Sequence, residues 1–288
     1  MTDQAQRLRE ILEQRKQTGR ARTIAITSGK GGVGKSNFAL NFSMELINLG
    51  KRVLLFDLDI GMGNIDILIG KSPTYTILNL FDEKLSIHDI IESGPNSLSY
   101  IAGGSGFTDF FKLTDEKFRY FTQEFDKLQQ TYDYIIFDMG AGATQDSLHF
   151  ILAADEVIVV TTPEPTSLTD AYAMIKHVHR SRSDQSIRIL INRAANKSEG
   201  HETIDRLTSV VRKFLDREIE ALGILPDDKT VSKAVIQQVP YTQFDKRSSI
   251  SKALVEVAGD FVSGTNTEEK RQESSFLFKL KELLQRGK

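Results

Sequence analysis

The sequence contains no cysteine. It therefore has no disulfide bond, no thiolate nucleophile and no metal or iron–sulfur cluster that is ligated by cysteine. It also lacks a run of about 18 apolar residues, so we expect no membrane-spanning helix. The segment from Met1 to Arg7 has no apolar core that could serve as a secretion signal. Together these absences predict a cytoplasmic protein.

An excess of charge of either sign is also missing. The 37 basic and 39 acidic residues leave a formal net charge of −2, and the isoelectric point is about 6.3. This balance argues against nucleic acid as a general partner, although a local basic patch could still bind it. The 288 residues suffice for one large α/β domain or two small ones.

A glycine-rich loop between a predicted strand and a predicted helix is the most informative stretch. It follows the apolar run Thr23–Thr27 and precedes a segment of helical periodicity, and residues 29–36 fit the pattern G-x-x-x-x-G-K-[ST]. Such a loop turns several backbone N–H groups toward a polyphosphate, with the positive end of the helix dipole behind them. Lys35 would neutralise the β and γ phosphates, and the Ser36 hydroxyl would ligate Mg²⁺. The predicted nucleotide-binding residues are Gly29, Lys30, Gly31, Gly32, Val33, Gly34, Lys35, Ser36 and Asn37.

A second lysine, Lys30, stands near the start of this loop. The stretch from Lys30 to Ser36, K-G-G-V-G-K-S, resembles the deviant Walker A motif of the MinD/ParA family of P-loop ATPases, which are NTPases of the SIMIBI type. The resemblance implies ATP and Mg²⁺ as ligands and an ATP-dependent homodimer in which Lys30 reaches the partner's phosphates and assists catalysis. The alternative is a solvated loop lysine. The missing cysteines exclude two cluster-binding relatives, the nitrogenase iron protein and the iron–sulfur scaffold ATPases.

Aspartates follow two further strands that are predicted from continuous apolar runs. After the first, the stretch from Asp57 to Asp66 resembles the family's switch I pattern D-x-D-x-G-x-x-N-x-D. The resemblance implies that Asp59 orients the attacking water and that Asp57 supports the Mg²⁺ shell. The second run, Y-I-I-F-D, ends at Asp138 and is typical of a Walker B strand that binds Mg²⁺ through water. The alternative for all three aspartates is a structural cap of the loop. Gly140 stands where the family's switch II has proline.

The base-binding residues are predicted from the end of a later strand. The apolar run Ile187–Ile191 ends at Asn192, and in the family an asparagine there reads the adenine edge. The stretch 224–227 resembles the loop that closes over the base, which implies nucleotide contacts by Pro226 and Asp227. No guanine signature N-K-x-D occurs, so the sequence favours adenine.

Predicted strands and helices alternate along most of the chain. This alternation indicates an α/β domain, residues 23–263, with a mainly parallel sheet covered by helices on both faces. Residues 264–275 are polar without periodicity and are predicted to form a linker. Further strands are predicted at 98–102 and 157–161, and helices from 167 and at 202–217, 229–238 and 248–262.

Residues 1–22 form a predicted basic amphipathic arm. It contains six arginines and lysines but only three acidic residues, and its apolar residues lie on one side of a possible helix. The sequence pattern D-Q-A-x-x-L-R at residues 3–9 is similar to the N-terminal motif of the flagellar-number regulators of the family, the FlhG-type proteins. The resemblance implies that residues 3–20 stimulate an FlhF-type GTPase and that flagellar switch-complex proteins are further partners. The alternative is a tail without function.

The C-terminal segment 276–288 has an apolar face, with Lys279, Lys281, Arg286 and Lys288 outside it. Such a helix can bind an anionic membrane or dock on protein, and the family's C-terminal targeting helix favours the membrane. The sequence therefore predicts an ATPase switch that attaches to the inner face of the membrane when ATP is bound and regulates flagella, without specific nucleic acid. The alternatives are a MinD-type regulator of the division site and a ParA-type ATPase that binds DNA without sequence preference.

Overall fold

A central β-sheet organises the protein. The computed structural model describes residues 20–59, 64–104, 115–142, 145–182, 184–265 and 275–286, and within them the sheet has eight strands in the order β3-β4-β2-β5-β1-β6-β7-β8. All neighbouring pairs are parallel except β3 with β4, so the predicted α/β class is confirmed. The strands are β1 (Arg22–Ser28), β2 (Val53–Leu58), β3 (Glu92–Ser93), β4 (Ser99–Ile101), β5 (Tyr134–Ala141), β6 (Glu156–Thr161), β7 (Ser186–Ala194) and β8 (Glu220–Pro226).

Helices cover the sheet on both of its faces. In the described residues they are α1 (Lys35–Asn48), α2 (Ile65–Ile69), α3 (Asn79–Asp82), α4 (Asp115–Thr131), α5 (Gln145–Ala153), α6 (Pro165–Ser181), α7 (Lys197–Leu215), α8 (Lys229–Ile236), α9 (Tyr241–Phe244), α10 (Ser249–Thr265) and α11 (Phe276–Arg286). A 3₁₀ turn spans Pro95–Ser97. One face of the sheet packs against α1, α8, α9 and α10, and the other against α4, α5, α6, α7 and α11.

The strands are continuously apolar because both of their faces are buried. In β1, Ile24 and Ile26 enter the core on one face and Ala25 enters it on the other. The same alternation holds in β5, where Ile136 and Phe137 point to opposite faces. This arrangement brings the carboxyl ends of β1, β2, β5, β6 and β7 to one edge of the sheet, where ligands of open α/β folds bind.

Several predicted boundaries were wrong, and the helix predicted at 202–217 spans Lys197–Leu215. Ile224–Pro226 was predicted to be a loop, but it is the end of β8, where Ile224 pairs with Ile191 of β7. Exposed Glu220 and Ala221 begin this edge strand, so it lacks the continuous apolar run of a central strand. The linker was predicted to begin at residue 264, but α10 continues to Thr265.

The C-terminal helix α11 is docked on the protein. Phe276 is 1% exposed, and the centre of its ring lies 5.1 Å from that of Phe137 and 4.9 Å from that of Phe125. Leu280 is fully buried in the same core. Lys279 was predicted to lie on the polar side, but its side chain is 5% exposed and its Nζ lies 2.9 Å from Asp155 Oδ1. The amphipathic pattern predicted an apolar face correctly, and this face packs against α5 and β5.

Several predicted segments lie outside the described residues. They are residues 1–19 of the N-terminal arm, switch I residues 60–63, linker residues 266–274 and residues 287–288. The arm joins the fold through Arg20, which pairs with Asp126 at 3.1 Å, and through the Ala21 N–H, which donates to the Gln129 carbonyl. None of the described helices combines the length and hydropathy needed to span a bilayer.

Candidate active site

The glycine-rich loop between β1 and α1 is held by a residue from β7. Gly34 has a left-handed backbone with φ of 92°, and a Cβ atom there would come within 2.3 Å of Asn192 Nδ2. Only glycine fits this position without moving its neighbour. Asn192 Nδ2 donates to the Val33 carbonyl at 2.8 Å, while the Val33 side chain is buried in the core. Asn192 therefore joins the end of β7 to the loop.

Lys35, at the start of α1, is buried among carboxylates. Its Nζ lies 2.7 Å from Asp138 Oδ1 and 3.7 Å from Asp59 Oδ2, and it also donates to Ser36 Oγ at 3.4 Å. Burial opposes the charge, but the attraction and hydrogen bond of Asp138 outweigh it and raise the pKa of Lys35. The ammonium group therefore stays protonated at neutral pH.

Asp57, at the end of β2, organises the chain that follows it. Its carboxylate accepts hydrogen bonds from the backbone N–H groups of Asp59, Asn64 and Ile65, at 3.1, 2.8 and 3.1 Å. Burial and the nearby Asp138 raise the pKa of Asp57 to about 7, against these hydrogen bonds. Asp57 thus fixes both ends of switch I, and its role in supporting Mg²⁺ stays a prediction.

Asp59, the predicted catalytic residue, sits between Lys35 and the switch II backbone. Its Oδ2 accepts a hydrogen bond from Asn64 Nδ2 at 3.2 Å. A Cβ atom on Gly140 would lie 3.1 Å from Asp59 Oδ1, so glycine in place of the family's proline leaves room for this carboxylate. Burial raises the pKa of Asp59, Lys35 lowers it and Asp138 raises it, with a net upward shift.

The site has oxygen atoms that suit a magnesium ion. Asp138 uses Oδ1 for Lys35, while its buried Oδ2 has no hydrogen-bond partner in the described part of the chain. The Ser36 hydroxyl lies next to Lys35 on the same side. No group of three or more acidic, histidine or cysteine side chains among the described residues is placed to hold a metal alone. Magnesium commonly keeps waters and phosphate oxygens beside one or two protein ligands, so Ser36 and Asp138 fit this chemistry.

Lys30, the lysine typical of the deviant motif, is bound on the surface of its own chain. Its Nζ lies 3.2 Å from Glu164 Oε2 and 3.2 Å from Thr166 Oγ1. The side chains of Lys30 and Glu164 are 41% and 63% exposed. Exposed ion pairs of this kind contribute at most about 1 kcal/mol, so Lys30 can exchange partners at little cost.

A cavity of about 470 Å³ extends from the loop toward α8 and α10. It brings together five of the predicted nucleotide residues, Gly34, Asn37, Asn192, Pro226 and Asp227. The Asn192 Oδ1 atom is buried without a hydrogen-bond partner in the described residues, so it can accept a hydrogen bond from a ligand. The other lining residues are Phe38, Glu164, Arg193, Leu225, Asp228, Val231, Ser232, Tyr241 and Ile250.

Sequence reasoning missed three residues of the site. Glu164 follows β6 at the same edge as the aspartates, and this position was its only signal. Asn64 belongs to the switch I pattern, but its bond to Asp59 becomes visible only in the structure. Asp228 precedes Lys229-Thr230, a helix start pattern that marks an N-cap.

Comparisons with known proteins agree with this geometry. A family profile described as an AAA domain matches residues 21–191. The antiactivator FleN of Pseudomonas aeruginosa is 35% identical over 235 residues, which are 82% of this chain and 84% of FleN. The flagellum site-determining protein YlxH of Helicobacter pylori is 31% identical over 262 residues, 86% of this chain and 84% of YlxH.

A solved structure shows the same fold. The septum site-determining protein MinD of Pyrococcus horikoshii, complexed with Mg-ADP, superposes with a TM-score of 0.70 at 22% sequence identity. The match covers 86% of this chain and 99% of that one. With the glycine loop, the buried Lys35 and the Walker B aspartate in place, the chain belongs to the MinD/ParA family of P-loop proteins and is an ATP hydrolase.

Proposed function

We propose that the protein is an ATP-dependent dimerisation switch that regulates the number or placement of flagella. The observation that carries the switch is the contrast between the two loop lysines. Lys35 is 6% exposed and is held by Asp138, whereas Lys30 is 41% exposed at the rim of the same loop. One lysine serves its own site, and the other is free to serve a second chain.

The ion pair with Glu164 supports a role of Lys30 in trans. A surface ion pair is weak and is screened by salt. The attraction between a lysine and polyphosphate inside a closed interface is stronger and is screened less. Exchange of Glu164 for the partner's phosphates is therefore favourable once two ATP-bound chains meet. Glu164 also lines the nucleotide cavity, so Lys30 lies beside the site that the partner chain would close in this proposal.

The hydrolysis step fits the arrangement around Asp59. Phosphoryl transfer needs mainly positioning and charge stabilisation, and bound Mg²⁺ would offset negative charge on the phosphate oxygens. Asn64 and Gly140 leave the Asp59 carboxylate in a defined place next to Lys35. In this position Asp59 orients the attacking water, and Lys35 and the partner's Lys30 balance the phosphate charge.

The flagellar role is supported by the motif at residues 3–9 and by relatives that are named an antiactivator and a flagellum site-determining protein. In this proposal residues 3–20 act on an FlhF-type GTPase, and flagellar switch-complex proteins are further partners. A MinD-type division role is the second candidate, favoured by the structural likeness to MinD. A ParA-type DNA role is less favoured, because the net charge of −2 gives no general attraction to phosphates.

Membrane attachment through α11 requires that the helix leaves its groove. Burying Phe276, Leu277 and Leu280 contributes roughly 5–8 kcal/mol, whether the surroundings are the protein core or lipid. Docking therefore competes directly with membrane binding, and a single chain gains little by moving. Two helices presented by one ATP-bound dimer gain avidity of about 10²–10⁴-fold, which makes attachment at the inner face of the membrane depend on ATP.

Asp59→Ala should trap the ATP-bound dimer. Turnover, measured as phosphate release, should fall by about 10²-fold or more, because the attacking water loses its orienting group. Light scattering should still detect a dimer with ATP and Mg²⁺. Asp205→Ala, on the exposed face of α7, is the control and should behave as wild type. Turnover of Asp59→Ala at the wild-type rate would refute the assigned role.

Lys30→Ala should abolish the ATP-dependent dimer while a single chain still binds ATP through Lys35. The turnover should fall by about 10²–10³-fold, the usual cost of losing one stabilising group in the transition state. Sedimentation velocity with ATP and Mg²⁺ measures the dimer, and Lys252→Ala on α10 is the control. A dimer of Lys30→Ala as stable as that of wild type contradicts the contact in trans.

Flotation with anionic vesicles tests the membrane proposal. Wild type should float with ATP and sediment with ADP. Lys281→Glu changes an exposed base of α11 without touching the docked face, and it should weaken binding at least about tenfold, since each base near the surface contributes about 1 kcal/mol. Lys233→Glu on α8 is the control. Retention of the wild-type protein on DNA with no vesicle binding would favour the ParA-type role instead.

Deletion of residues 1–20 tests the flagellar partner. The fold should persist, because β1 begins at Arg22 and because, in the part of the chain that the structure describes, Arg20 forms an ion pair only with the exposed side chain of Asp126. ATP binding should remain within about twofold, while stimulation of an FlhF-type GTPase should fall to its basal rate. A GTP hydrolysis assay with the full chain and the deletion, beside a pull-down of both, measures this. Equal stimulation by both proteins rules out the arm as the activator.

A further inference from the structure

Asp228 joins the N-termini of two helices that are distant in sequence. Its Oδ1 accepts a hydrogen bond from the Thr230 N–H at 2.8 Å and so caps α8. Its Oδ2 accepts from Ser249 Oγ at 2.6 Å and from the Ile250 N–H at 3.4 Å, at the start of α10. A single carboxylate thus fixes the separation of α8 and α10.

Both of these helices form the wall of the nucleotide cavity that faces Asn192. Val231 and Ser232 come from α8, and Ile250 comes from α10. The segment between the helices is tied to α1, because Asn41 Oδ1 accepts hydrogen bonds from the backbone N–H and the hydroxyl of Thr242. The wall is therefore anchored to the P-loop helix at one point and closed by Asp228 at another.

Asp228 stays ionised under physiological conditions, so its hydrogen bonds to both helices are made to a charged group. Burial alone would raise the pKa of Asp228, but the hydrogen bonds from Ser249, Thr230 and Ile250 lower it to about 2. The carboxylate is thus ionised at every pH at which the protein works. Hydrogen bonds to a charged group are about twice as strong as neutral ones.

We propose that Asp228 is a positioning residue for nucleotide selection: by holding α8 against α10 it presses the cavity wall onto the base, which then meets the Asn192 amide in one orientation. Asp228 lines the cavity, but both of its carboxylate oxygens already accept hydrogen bonds from the two helices, so it acts on the base through the wall that it holds. A wider cavity would let the base shift, and the hydrogen bond that separates adenine from guanine would lose its geometry. The inference rests on the assignment of this cavity to the nucleotide.

Two variants of the full-length chain test the inference. Asp228→Ala removes both connections, and Ser249→Ala removes only the hydroxyl that joins α10, leaving the cap of α8 intact. Binding is measured by titration with fluorescent ATP and GTP analogues in Mg²⁺, and turnover by phosphate release. We expect the Kd for ATP to rise about tenfold in Asp228→Ala and about threefold in Ser249→Ala. The preference for ATP over GTP should fall in both, with the effect on KM rather than on kcat.

Asn196→Ala provides the matched control for the loss of a helix cap. The Asn196 side chain accepts a hydrogen bond from the Glu199 N–H at 3.0 Å and caps α7, and it does not line the cavity. Its loss should lower Tm as the loss of the α8 cap does in Asp228→Ala, but it should leave Kd and the nucleotide preference unchanged. A simple cap role of Asp228 predicts the same pattern for Asp228→Ala as for Asn196→Ala, and wild-type Kd and preference for Ser249→Ala.

Asn192→Ala separates the inference from its premise. If this variant keeps wild-type affinity and nucleotide preference, the base does not lie in this cavity, and both assignments fail. If Asn192→Ala loses the preference while Ser249→Ala and Asp228→Ala retain it, the cavity assignment stands and the role of Asp228 is refuted. Should Asp228→Ala fail to fold, the exposed Ser249→Ala change still decides between these outcomes.

Discussion

One buried ammonium group balances the carboxylates at the carboxyl ends of β2 and β5. Lys35 can reach Asp138 and Asp59 only because the glycine loop bends sharply before α1 and delivers its side chain to the sheet edge. Burial and the neighbouring Asp138 raise the pKa of Asp57 and of Asp59, and the single positive charge of Lys35 does not cancel the upward shift at Asp59. The site thus has more carboxylate groups than ammonium groups, and a nucleotide that binds with a divalent cation would balance this excess of negative charge.

Much of the fold follows from the sequence because central strands of a parallel sheet are apolar on both faces. The runs ending at Thr27, Asp57 and Asp138 could be recognised individually, and their motifs located the P-loop and the switch aspartates. The edge strand β8 escaped recognition, since it begins at the charged residue Glu220 and Gly223 divides its short apolar stretch. Likewise, periodicity predicted an apolar face on α11 but carried no information on whether lipid or protein covers it.

Contacts between distant segments were beyond sequence reasoning. Glu164 meets Lys30 across 134 positions, and no local pattern links them. Asp228 was missed, and its bond to Ser249 depends on how α8 and α10 pack. The role of Asn192 in holding Val33 also belongs to this class. Motifs locate functional groups, whereas tertiary packing decides which groups constrain each other.

A buried set of ion pairs and an exposed ion pair lie at opposite ends of the sheet. At the amino ends of the strands, buried Glu156 pairs with Arg22 and Arg188, and both guanidinium groups lie over the Phe261 ring. Removing one partner from such a buried set is costly, so each of these charges stabilises the fold at this end of the sheet. At the opposite edge the pair of Lys30 and Glu164 is exposed and weak. In the proposed switch, the buried set would belong to the scaffold and the exposed pair would exchange partners.

The stacking of Phe276 on Phe137 has a consequence for any signal that acts on the C-terminal helix. Phe137 directly precedes Asp138 in β5, and α5, against which α11 packs, begins shortly after switch II. In the proposed switch, the position of α11 and the state of the nucleotide site would be two ends of one equilibrium. Thermodynamic reciprocity requires that if ATP favours release of the helix, a surface that captures the helix tightens ATP binding by the same factor. A membrane that binds α11 would then be an allosteric effector of the enzyme as well as its binding surface.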